Sequence, residues 1–181
     1  MDERLLIRQC KQQQRQAQQQ LFEELYPSAY RLSRRYLFRS QDIEDVLIGV
    51  FVRVFRHLES FEYRGEGSLR KWVNTIVIHE CIRFLSAYRP VITEEDVSFL
   101  AAERDWDGDP SGVDAERVMQ ILDQMPAGYR TVFNLYAMEG YTHSEIAGLL
   151  NITEGTSKSQ LSKARNHIIE KLKERKSYGT L

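Results

Sequence analysis

Apolar residues recur at intervals of three to four positions along nearly the whole chain, whereas runs that alternate strictly between apolar and polar residues are scarce. The first pattern places apolar side chains along one side of a helix, and the second would indicate strands. The periodic stretches fall into two blocks, residues 10–89 and residues 114–176. The chain is therefore predicted to be all-α, with two small helical bundles.

The stretch between the two blocks, residues 90–113, has a different composition. It carries 7 Asp and Glu residues against 1 Arg, a net charge of −6, and it contains Pro90 and Pro110. Proline interrupts helices, and clusters of Pro, Gly, Asp and Ser are typical of connections. We therefore expect an acidic linker that joins the two bundles.

In the first block, residues 42–58 have apolar positions on two sides of the predicted helix. One side has the spacing of a core-facing stripe, formed by Ile43, Val46, Leu47, Val50, Phe51, Val54 and Leu58. A second side carries Ile48, Val52 and Phe55, beside the acidic residues Glu44 and Asp45. A surplus apolar face is either buried or covered by a partner, and the adjacent charges favour a partner.

A loop with two glycines follows, and another helix is predicted to begin near Ser68. Basic and aromatic side chains are concentrated around this junction, namely Phe61, Tyr63, Arg64, Arg70, Lys71, Trp72 and Arg83. This combination suits single-stranded nucleic acid, because bases stack on aromatic rings while cations hold the backbone. The alternative that Trp72 is an ordinary core residue stays open.

Residues 141–165 have the pattern of a helix-turn-helix. Thr142 and Glu145 have the spacing of a capping box, which satisfies backbone N–H groups at the start of a first short helix. Asn151 can adopt the left-handed backbone conformation that a tight turn requires. A second helix then begins at Thr153 or Glu154, and its apolar stripe is formed by Leu161, Ala164, Ile168 and Leu172.

The other sides of this second helix suit duplex DNA. They carry small, hydroxyl-bearing, amide and charged residues, namely Glu154, Gly155, Thr156, Lys158, Ser159, Gln160, Ser162, Lys163, Arg165 and Asn166. Small residues allow close entry into the major groove, and Lys and Arg can bind phosphates. The whole chain has a net charge of −1, but residues 154–176 carry 7 Lys and Arg against 3 Glu. A helix that is simply solvated on this side is the alternative interpretation.

The sequence pattern does not indicate a membrane protein or a secreted protein. No run approaches the roughly 18 apolar residues of a membrane span, and the polar, Gln-rich beginning of the chain is unlike a secretory signal. Cys10 and Cys81 are far apart and are expected to be free thiols in a reducing compartment. These features predict a soluble, cytoplasmic protein.

No catalytic or metal site is predicted either. Residues 79–83 begin like the helical zinc motif HExxH, but Arg83 occupies the position of the second ligand, where a cation would repel a metal. The 4 histidines have no metal-ligand spacing, and neither a glycine-rich phosphate loop nor a nucleophile signature is present. We therefore expect no enzyme activity and no cofactor.

Four segments in a fixed order resemble the extracytoplasmic-function sigma factors, the small initiation factors of bacterial RNA polymerase. QLFEELYPSAYRLSRRYL resembles the opening helix of that family, and DIEDVLIGVFVRVFRHL resembles its polymerase-binding helix. EGSLRKWVNTIVIHECIRFL is similar to the segment that melts and reads the −10 promoter element. DQMPAGYRTVFNLYAMEGYTHSEIAGLLNITEGTSKSQLSKAR is similar to the domain that reads the −35 element.

The resemblance implies a role for each group of residues. Residues 10–89 would be a sigma region 2-like domain and residues 114–176 a sigma region 4-like domain. Core polymerase would bind Glu44, Asp45, Ile48, Val52 and Phe55. Single-stranded −10 DNA would bind Tyr63, Arg64, Arg70, Lys71, Trp72, His79 and Arg83. Double-stranded −35 DNA would bind Thr142 and the residues from Glu154 to Arg165 named above for the second helix.

The resemblance also implies the partners of the chain. They are bacterial core RNA polymerase, promoter DNA and an anti-sigma factor. The chain itself would be monomeric when free and would not enter a membrane. The acidic linker would run through the positively charged channel of the polymerase.

The sequence departs from the usual family pattern in the −10-reading segment. The family usually has Asn at the position of His79, Asp at that of Arg83 and Arg at that of Ser86. A sigma-like protein that binds polymerase but melts promoters weakly is therefore one alternative. The other is a stand-alone helix-turn-helix regulator, which would need a symmetric dimer and paired half-sites.

Overall fold

A computed structural model describes residues 2–88 and 115–174, and the predicted acidic linker at residues 90–113 lies outside them. The chain divides into two compact units, Met1–Ala87 and Tyr88–Leu181. Every regular element in the described residues is helical, which confirms the predicted all-α fold. Among these residues no helix combines the length and the apolar character that crossing a bilayer requires.

The N-terminal unit is built around three long helices and one short one. They are α1 (Glu3–Lys11), α2 (Arg15–Ser33), α3 (Ser40–His57) and α4 (Ser68–Tyr88), and a 3₁₀ turn at Leu58–Ser60 continues α3. The predicted core stripe of α3 is buried as expected. Its partners in the core include Leu21, Leu25, Ala29 and Leu32 of α2 and Leu69, Val73, Val77 and Cys81 of α4.

Helix α1 was not predicted, and the N-terminal unit begins earlier than residue 10. The Asp2 carboxylate caps α1 by accepting a hydrogen bond from the backbone N–H of Arg4 at 2.9 Å. Leu6, Ile7 and Cys10 are buried where α1 packs on α2 and on the 3₁₀ turn. Only three of its residues are apolar and buried, so its periodic signal was weak beside the Gln-rich stretch that follows.

The C-terminal unit is organised around its last helix. The elements are α5 (Ala115–Gln124), α6 (Ala127–Phe133), a π-helical turn at Asn134–Met138, α7 (His143–Leu150) and α8 (Glu154–Glu174). Helices α5, α6 and α7 all pack on α8. Its core contains Ile121, Leu122, Met125, Ala164 and Ile168, with Val118, Tyr129, Phe133 and Leu172 packed around them.

The helix-turn-helix has the local geometry that the sequence predicts. The Thr142 hydroxyl accepts a hydrogen bond from the backbone N–H of Glu145, and the Glu145 carboxylate accepts one from the backbone N–H of Thr142 at 2.8 Å. The Glu145 carboxylate also accepts a hydrogen bond from the Thr142 hydroxyl at 2.8 Å, and the two hydrogen bonds that it accepts from Thr142, the backbone one first, lower the pKa of Glu145. Asn151 ends α7 in the left-handed conformation with φ 54°, and α8 begins at Glu154. The capping box and the turn are therefore confirmed.

Both cysteines are free and buried, as expected for thiols without a disulfide or metal role. Burial raises the pKa of Cys10 to about 11 and that of Cys81 to about 12. Both side chains therefore stay protonated at neutral pH and pack as small apolar groups.

Candidate nucleic-acid interface

The second apolar face of α3 lies on the surface of the N-terminal unit. Ile48 is 66% exposed and Val52 is 51% exposed, although both are large aliphatic residues. Phe55 on the same side is partly exposed, and Glu44 and Asp45 are exposed beside it. The expected surplus face is thus present as a continuous apolar strip with acidic neighbours.

Aromatic side chains of α2 extend this strip. Phe22 packs against Phe51 with ring centroids 4.6 Å apart, and Phe51 packs against Phe55 at 6.4 Å. Tyr26 lies 5.1 Å from Phe22, and burial followed by the charge of Glu44 raises the pKa of Tyr26. This aromatic row, formed by Phe22, Tyr26, Phe51 and Phe55, was not predicted from the sequence. It combines residues of α2 and α3, and only α3 has an apolar pattern on two sides.

The loop between α3 and α4 forms a cavity at the predicted basic and aromatic junction. The cavity has a volume of about 640 Å³ and is lined by Ser60, Phe61, Glu62, Arg64, Glu66, Ser68, Lys71 and Trp72. Phe61 and Trp72 are in ring contact with centroids 4.9 Å apart. Gly65 at φ 114° and Gly67 at φ 80° let the loop turn, since side chains rarely tolerate this region. Because Trp72 lines the cavity and is half-buried, it is not an enclosed core residue.

Four of the residues predicted for this site line the cavity, and the others lie elsewhere on α4 or in the loop. Phe61, Arg64, Lys71 and Trp72 contribute to the lining, whereas Tyr63, Arg70, His79 and Arg83 do not. His79 is exposed further along α4. The sequence pattern did not reveal that the acidic residues Glu62 and Glu66 share the lining, because charge sign along a loop says little about which side chains converge.

Arg83 is engaged in an ion-pair network within the N-terminal unit. Its guanidinium pairs with the carboxylate of Glu80, which also binds the guanidinium of Arg53 on α3 at 2.7 Å. Glu80 is buried while both arginines are more exposed. The network joins α3 to α4, so Arg83 has a structural partner at a position where the family usually carries the opposite charge.

The C-terminal unit presents a polar surface along α8. Glu154, Gly155 and Lys158 are exposed, and Thr142 is exposed at the start of α7. Thr156, Ser159, Ser162, Lys163 and Arg165 are partly exposed. The first turn of α8 is ordered by the Thr153 hydroxyl, which accepts a hydrogen bond from the backbone N–H of Thr156 at 3.0 Å.

The prediction that Gln160 lies on this polar surface is wrong, because its side chain is fully buried. The buried side of α8 is wider than a single apolar stripe, since three helices pack on it, and it takes in Ser157 and Gln160. Among the described residues, neither amide atom of Gln160 has a hydrogen-bond partner. A side chain in that position cannot contact a base edge.

Two tyrosines that the sequence pattern did not single out hold basic side chains of α8. The ammonium group of Lys163 lies 5.5 Å from the ring centroid of Tyr129, and the guanidinium of Arg165 lies 5.8 Å from that of Tyr136. Cation–π contacts of this kind restrict long basic side chains. The sequence did contain a signal for this arrangement, because the two tyrosines are seven residues apart, a spacing that places side chains on the same side of a helix.

His143 connects the two helices of the helix-turn-helix. Its Nδ1 atom is 2.9 Å from the hydroxyl oxygen of Ser157, and its ring stacks on Tyr136 with centroids 4.6 Å apart. Burial, followed by the charges of Lys158 and Arg165, lowers the pKa of His143. The imidazole is therefore neutral at physiological pH, and Ser157 is a contact between helices rather than a DNA-facing residue.

Two known families match the two units. Residues 21–90 match the family described as Sigma-70 region 2, and residues 115–168 match the family described as Sigma-70, region 4. Together these matches cover more than half of the chain, and they occur in the order that the four sequence segments indicated.

Curated relatives are similar over most of their length. The chain is 28% identical to the ECF RNA polymerase sigma-E factor of Haemophilus influenzae over 153 residues, which is 78% of this chain and 79% of that protein. It is 29% identical to the ECF RNA polymerase sigma factor SigM of Mycobacterium tuberculosis over 153 residues, covering 83% of this chain and 74% of the relative.

Two solved structures share the fold. The sigma factor RpoE, in complex with the anti-sigma factor NepR from Bartonella quintana, matches 86% of this chain and 96% of its own, with a TM-score of 0.52 and 21% identity. CnrH in complex with the cytosolic domain of CnrY matches 94% of this chain and 97% of its own, with a TM-score of 0.51 and 21% identity. With both sigma regions present in order and relatives of one class, the chain belongs to the extracytoplasmic-function sigma factors.

Proposed function

We propose that this sigma factor binds core RNA polymerase through the exposed apolar face of α3 and directs it to promoters through two separate DNA contacts. The observation that carries the proposal is the exposure of Ile48 and Val52. Helix α3 already buries a complete core stripe on its other side, and an additional exposed aliphatic strip is typical of a protein–protein interface. Glu44 and Asp45 beside the strip would pair with basic groups of the polymerase and orient the contact. Phe55 and the aromatic row of α2 would enlarge the buried area.

The cavity between α3 and α4 is proposed to hold an unpaired base of the −10 element. Phe61 and Trp72 offer aromatic surfaces on which a base can stack, and Arg64 and Lys71 can hold the adjoining phosphates. Glu62 and Glu66 supply acceptors at the cavity for the amino groups of bases. Tyr63, Arg70, His79 and Arg83 would contact DNA outside the cavity, on the loop and along α4.

Helix α8 is proposed to enter the major groove of the −35 element. Exposed Gly155 at its first turn permits close approach, and Ser159 and Ser162 can reach base edges. Lys158, Lys163 and Arg165, with Thr142 and Thr156, would contact phosphates and set the register. Gln160 is left out of this surface because it is buried.

The regulatory setting follows from the family. RpoE and CnrH are each found with a second protein, NepR and the cytosolic domain of CnrY respectively. We propose that an anti-sigma factor covers the α3 strip of this chain, and that the chain is otherwise a monomer acting in the cytoplasm, where polymerase is. We expect no catalytic activity of its own, because RNA synthesis belongs to the polymerase.

Run-off transcription with purified bacterial core polymerase tests the proposed function. The expected result is that the protein stimulates transcripts from a defined subset of genomic fragments, with core enzyme alone as the control. No stimulation on any fragment would contradict sigma activity. A stable dimer in size-exclusion chromatography would favour a stand-alone regulator, and polymerase binding without promoter opening would favour the sigma-like alternative.

A further inference from the structure

Helix α1 lies before the part of the chain that matches Sigma-70 region 2, which begins at residue 21. It nevertheless belongs to the N-terminal unit, because Leu6, Ile7 and Cys10 are buried against α2 and the 3₁₀ turn. The helix has 9 residues, so its first and last residues are separated by about 12 Å along the axis at the usual rise per residue. Each of these two residues contacts the backbone on one side of the α3–α4 loop.

Lys11, at the C-terminal end of α1, binds the beginning of this loop. Its ammonium group donates hydrogen bonds to the carbonyl oxygens of Glu59 and Phe61, both at 2.9 Å. Carbonyl groups at the end of a helix lack intrahelical partners and carry partial negative charge, so an ammonium group is well suited to them. The contact fixes the backbone of Phe61, which is a wall of the cavity.

Glu3, at the N-terminal end of α1, binds the other side of the loop. Its carboxylate accepts a hydrogen bond from the backbone N–H of Gly67 at 2.8 Å. This group directly precedes α4, where a negative charge is favourable because the N-terminal N–H groups of a helix are unpaired. Desolvation, followed by the charges of Glu3 and Asp2, raises the pKa of Tyr63 in this loop.

We propose that α1 is a positioning element for the cavity between α3 and α4, in which Glu3 and Lys11 hold the two ends of the loop at the separation that an unpaired base requires. Glu62, Arg64 and Glu66 lie between the two contacts and line the cavity together with Phe61. Without these contacts the loop would sample wider conformations, and binding a base would first have to order it. The inference rests on the proposed function of the cavity.

Two pairs of variants test the contacts. Glu3→Ala removes the carboxylate acceptor, and Glu3→Gln keeps an oxygen that can accept from Gly67. Lys11→Met removes the ammonium group but keeps an unbranched stem, and Lys11→Arg keeps a cation that can donate to both carbonyl groups. Arg8→Met is the matched control, because it removes one positive charge at an exposed position of the same helix.

Three measurements are made on each variant. Trp72 emission is recorded in a Trp106→Phe background, where Trp72 is the one remaining tryptophan of the 2 in the chain. Open complexes are counted by permanganate reactivity of unpaired thymines, at a promoter that the unmodified protein opens with core polymerase. Binding to core polymerase is measured separately, because a loss there would report general destabilisation.

For Glu3→Ala, which loses one charge-assisted hydrogen bond, and for Lys11→Met, which loses two, we expect a shifted Trp72 emission. We also expect roughly tenfold or more fewer open complexes at equal occupancy of polymerase. Glu3→Gln, Lys11→Arg and Arg8→Met should resemble the unmodified protein. Unchanged emission and unchanged open complexes in both disruptive variants would overturn the inference, as would a parallel loss of polymerase binding. If the unmodified protein opens no promoter, the proposed function fails, whereas the Trp72 emission still decides whether α1 shapes the cavity.

Discussion

The side chain of Gln160 carries a primary amide into the interior of the C-terminal unit. It is fully buried, and within the described residues its amide nitrogen and oxygen have no hydrogen-bond partner. An unsatisfied buried polar group costs about 1–3 kcal/mol of stability. Such a cost at a helix-turn-helix is expected to be relieved by an apolar residue of similar length.

Gln160→Leu should therefore raise the free energy of unfolding of the C-terminal unit by roughly 1 kcal/mol and leave promoter preference unchanged. NMR of α8 amides across a urea titration would measure the stability, and run-off transcription on several promoters would measure the preference. Ser159→Ala, one position earlier on the exposed side, is the control that should alter promoter preference without stabilising the unit. A loss of stability in Gln160→Leu would contradict this account of the buried amide.

A pH effect is predicted at His143, where the ring contacts Ser157 and Tyr136. Burial and the nearby cations Lys158 and Arg165 lower the pKa of His143 below its ordinary value of 6.5. The unfolded chain then binds the proton more tightly, so this contribution to stability is complete above the unfolded pKa and is lost as the pH falls below it. The C-terminal unit should be weakened between pH 7.5 and 5.5.

His143→Gln removes the titrating group but keeps a side chain that can bond to Ser157. We expect this variant to lose less stability over the same pH interval than the unmodified protein, in urea titrations followed by NMR of α7 and α8 amides. His57→Gln, which removes an exposed histidine of the other unit, should leave the pH dependence of α7 and α8 unchanged. Equal pH dependence in His143→Gln and the unmodified protein would contradict the assignment.

In the helix-turn-helix, local features could be predicted from the sequence, and long-range packing could not. The capping box of Thr142 and Glu145 and the left-handed Asn151 were predictable, because each depends on neighbours within four positions. The burial of Gln160 was not, since it depends on how the preceding helices pack on α8. The cavity lining of Glu62 and Glu66 likewise depends on how the loop folds back.

Helix α3 carries apolar residues on two opposite sides. Val46, Val50 and Val54 fill the core, while Ile48 and Val52 remain exposed. The two sets are interleaved along the same turns, so a change on the outer side leaves the core stripe intact. This separation makes the outer face open to mutation without loss of the fold.

Ile48→Asp and Val52→Asp are each expected to weaken binding to core polymerase by roughly 10- to 100-fold, since covering one large aliphatic side chain contributes about 1.5–3 kcal/mol. Fluorescence anisotropy with purified core enzyme would measure the affinity, and circular dichroism would check that the helices persist. Phe38→Asp is the matched control, because Phe38 is an exposed apolar residue outside this face. If all three variants bind equally well, the α3 strip is ordinary surface.

The position of a long helix with a regular apolar pattern was predicted well from the sequence, whereas short helical elements were not predicted. The pattern over residues 42–58 corresponds to α3 at Ser40–His57 and its 3₁₀ continuation, because core burial requires seven apolar residues in register. Helix α1 was missed since a 9-residue helix with three buried side chains gives little periodicity. The π-helical turn at Asn134–Met138 has no counterpart in the apolar pattern, because it changes the hydrogen-bond register without changing the residue types.

For the whole molecule, the division into two units explains why modest affinity at each DNA contact can suffice. Each unit has its own buried core, and we propose that each unit contacts one promoter element. Once polymerase holds the first unit, the second acts at a high effective concentration because it is covalently attached. Residues 90–113 connect the two units in the sequence, and their 7 acidic residues and 1 basic residue give them a net charge of −6.

Cleavage of this connection should therefore abolish most activity even if both units stay folded. A protease site inserted within residues 90–113 allows the same preparation to be assayed before and after cutting, and protease-treated protein without the site is the control. At nanomolar concentrations, promoter-dependent transcription should fall by roughly 100-fold or more, the range that loss of linkage produces. Binding of the cut N-terminal unit to core polymerase should persist, because α3 lies wholly within it. Raising the C-terminal fragment to high micromolar concentration should restore part of the transcription, whereas full activity of the cut protein at nanomolar concentration would show that attachment is not what couples the two DNA contacts.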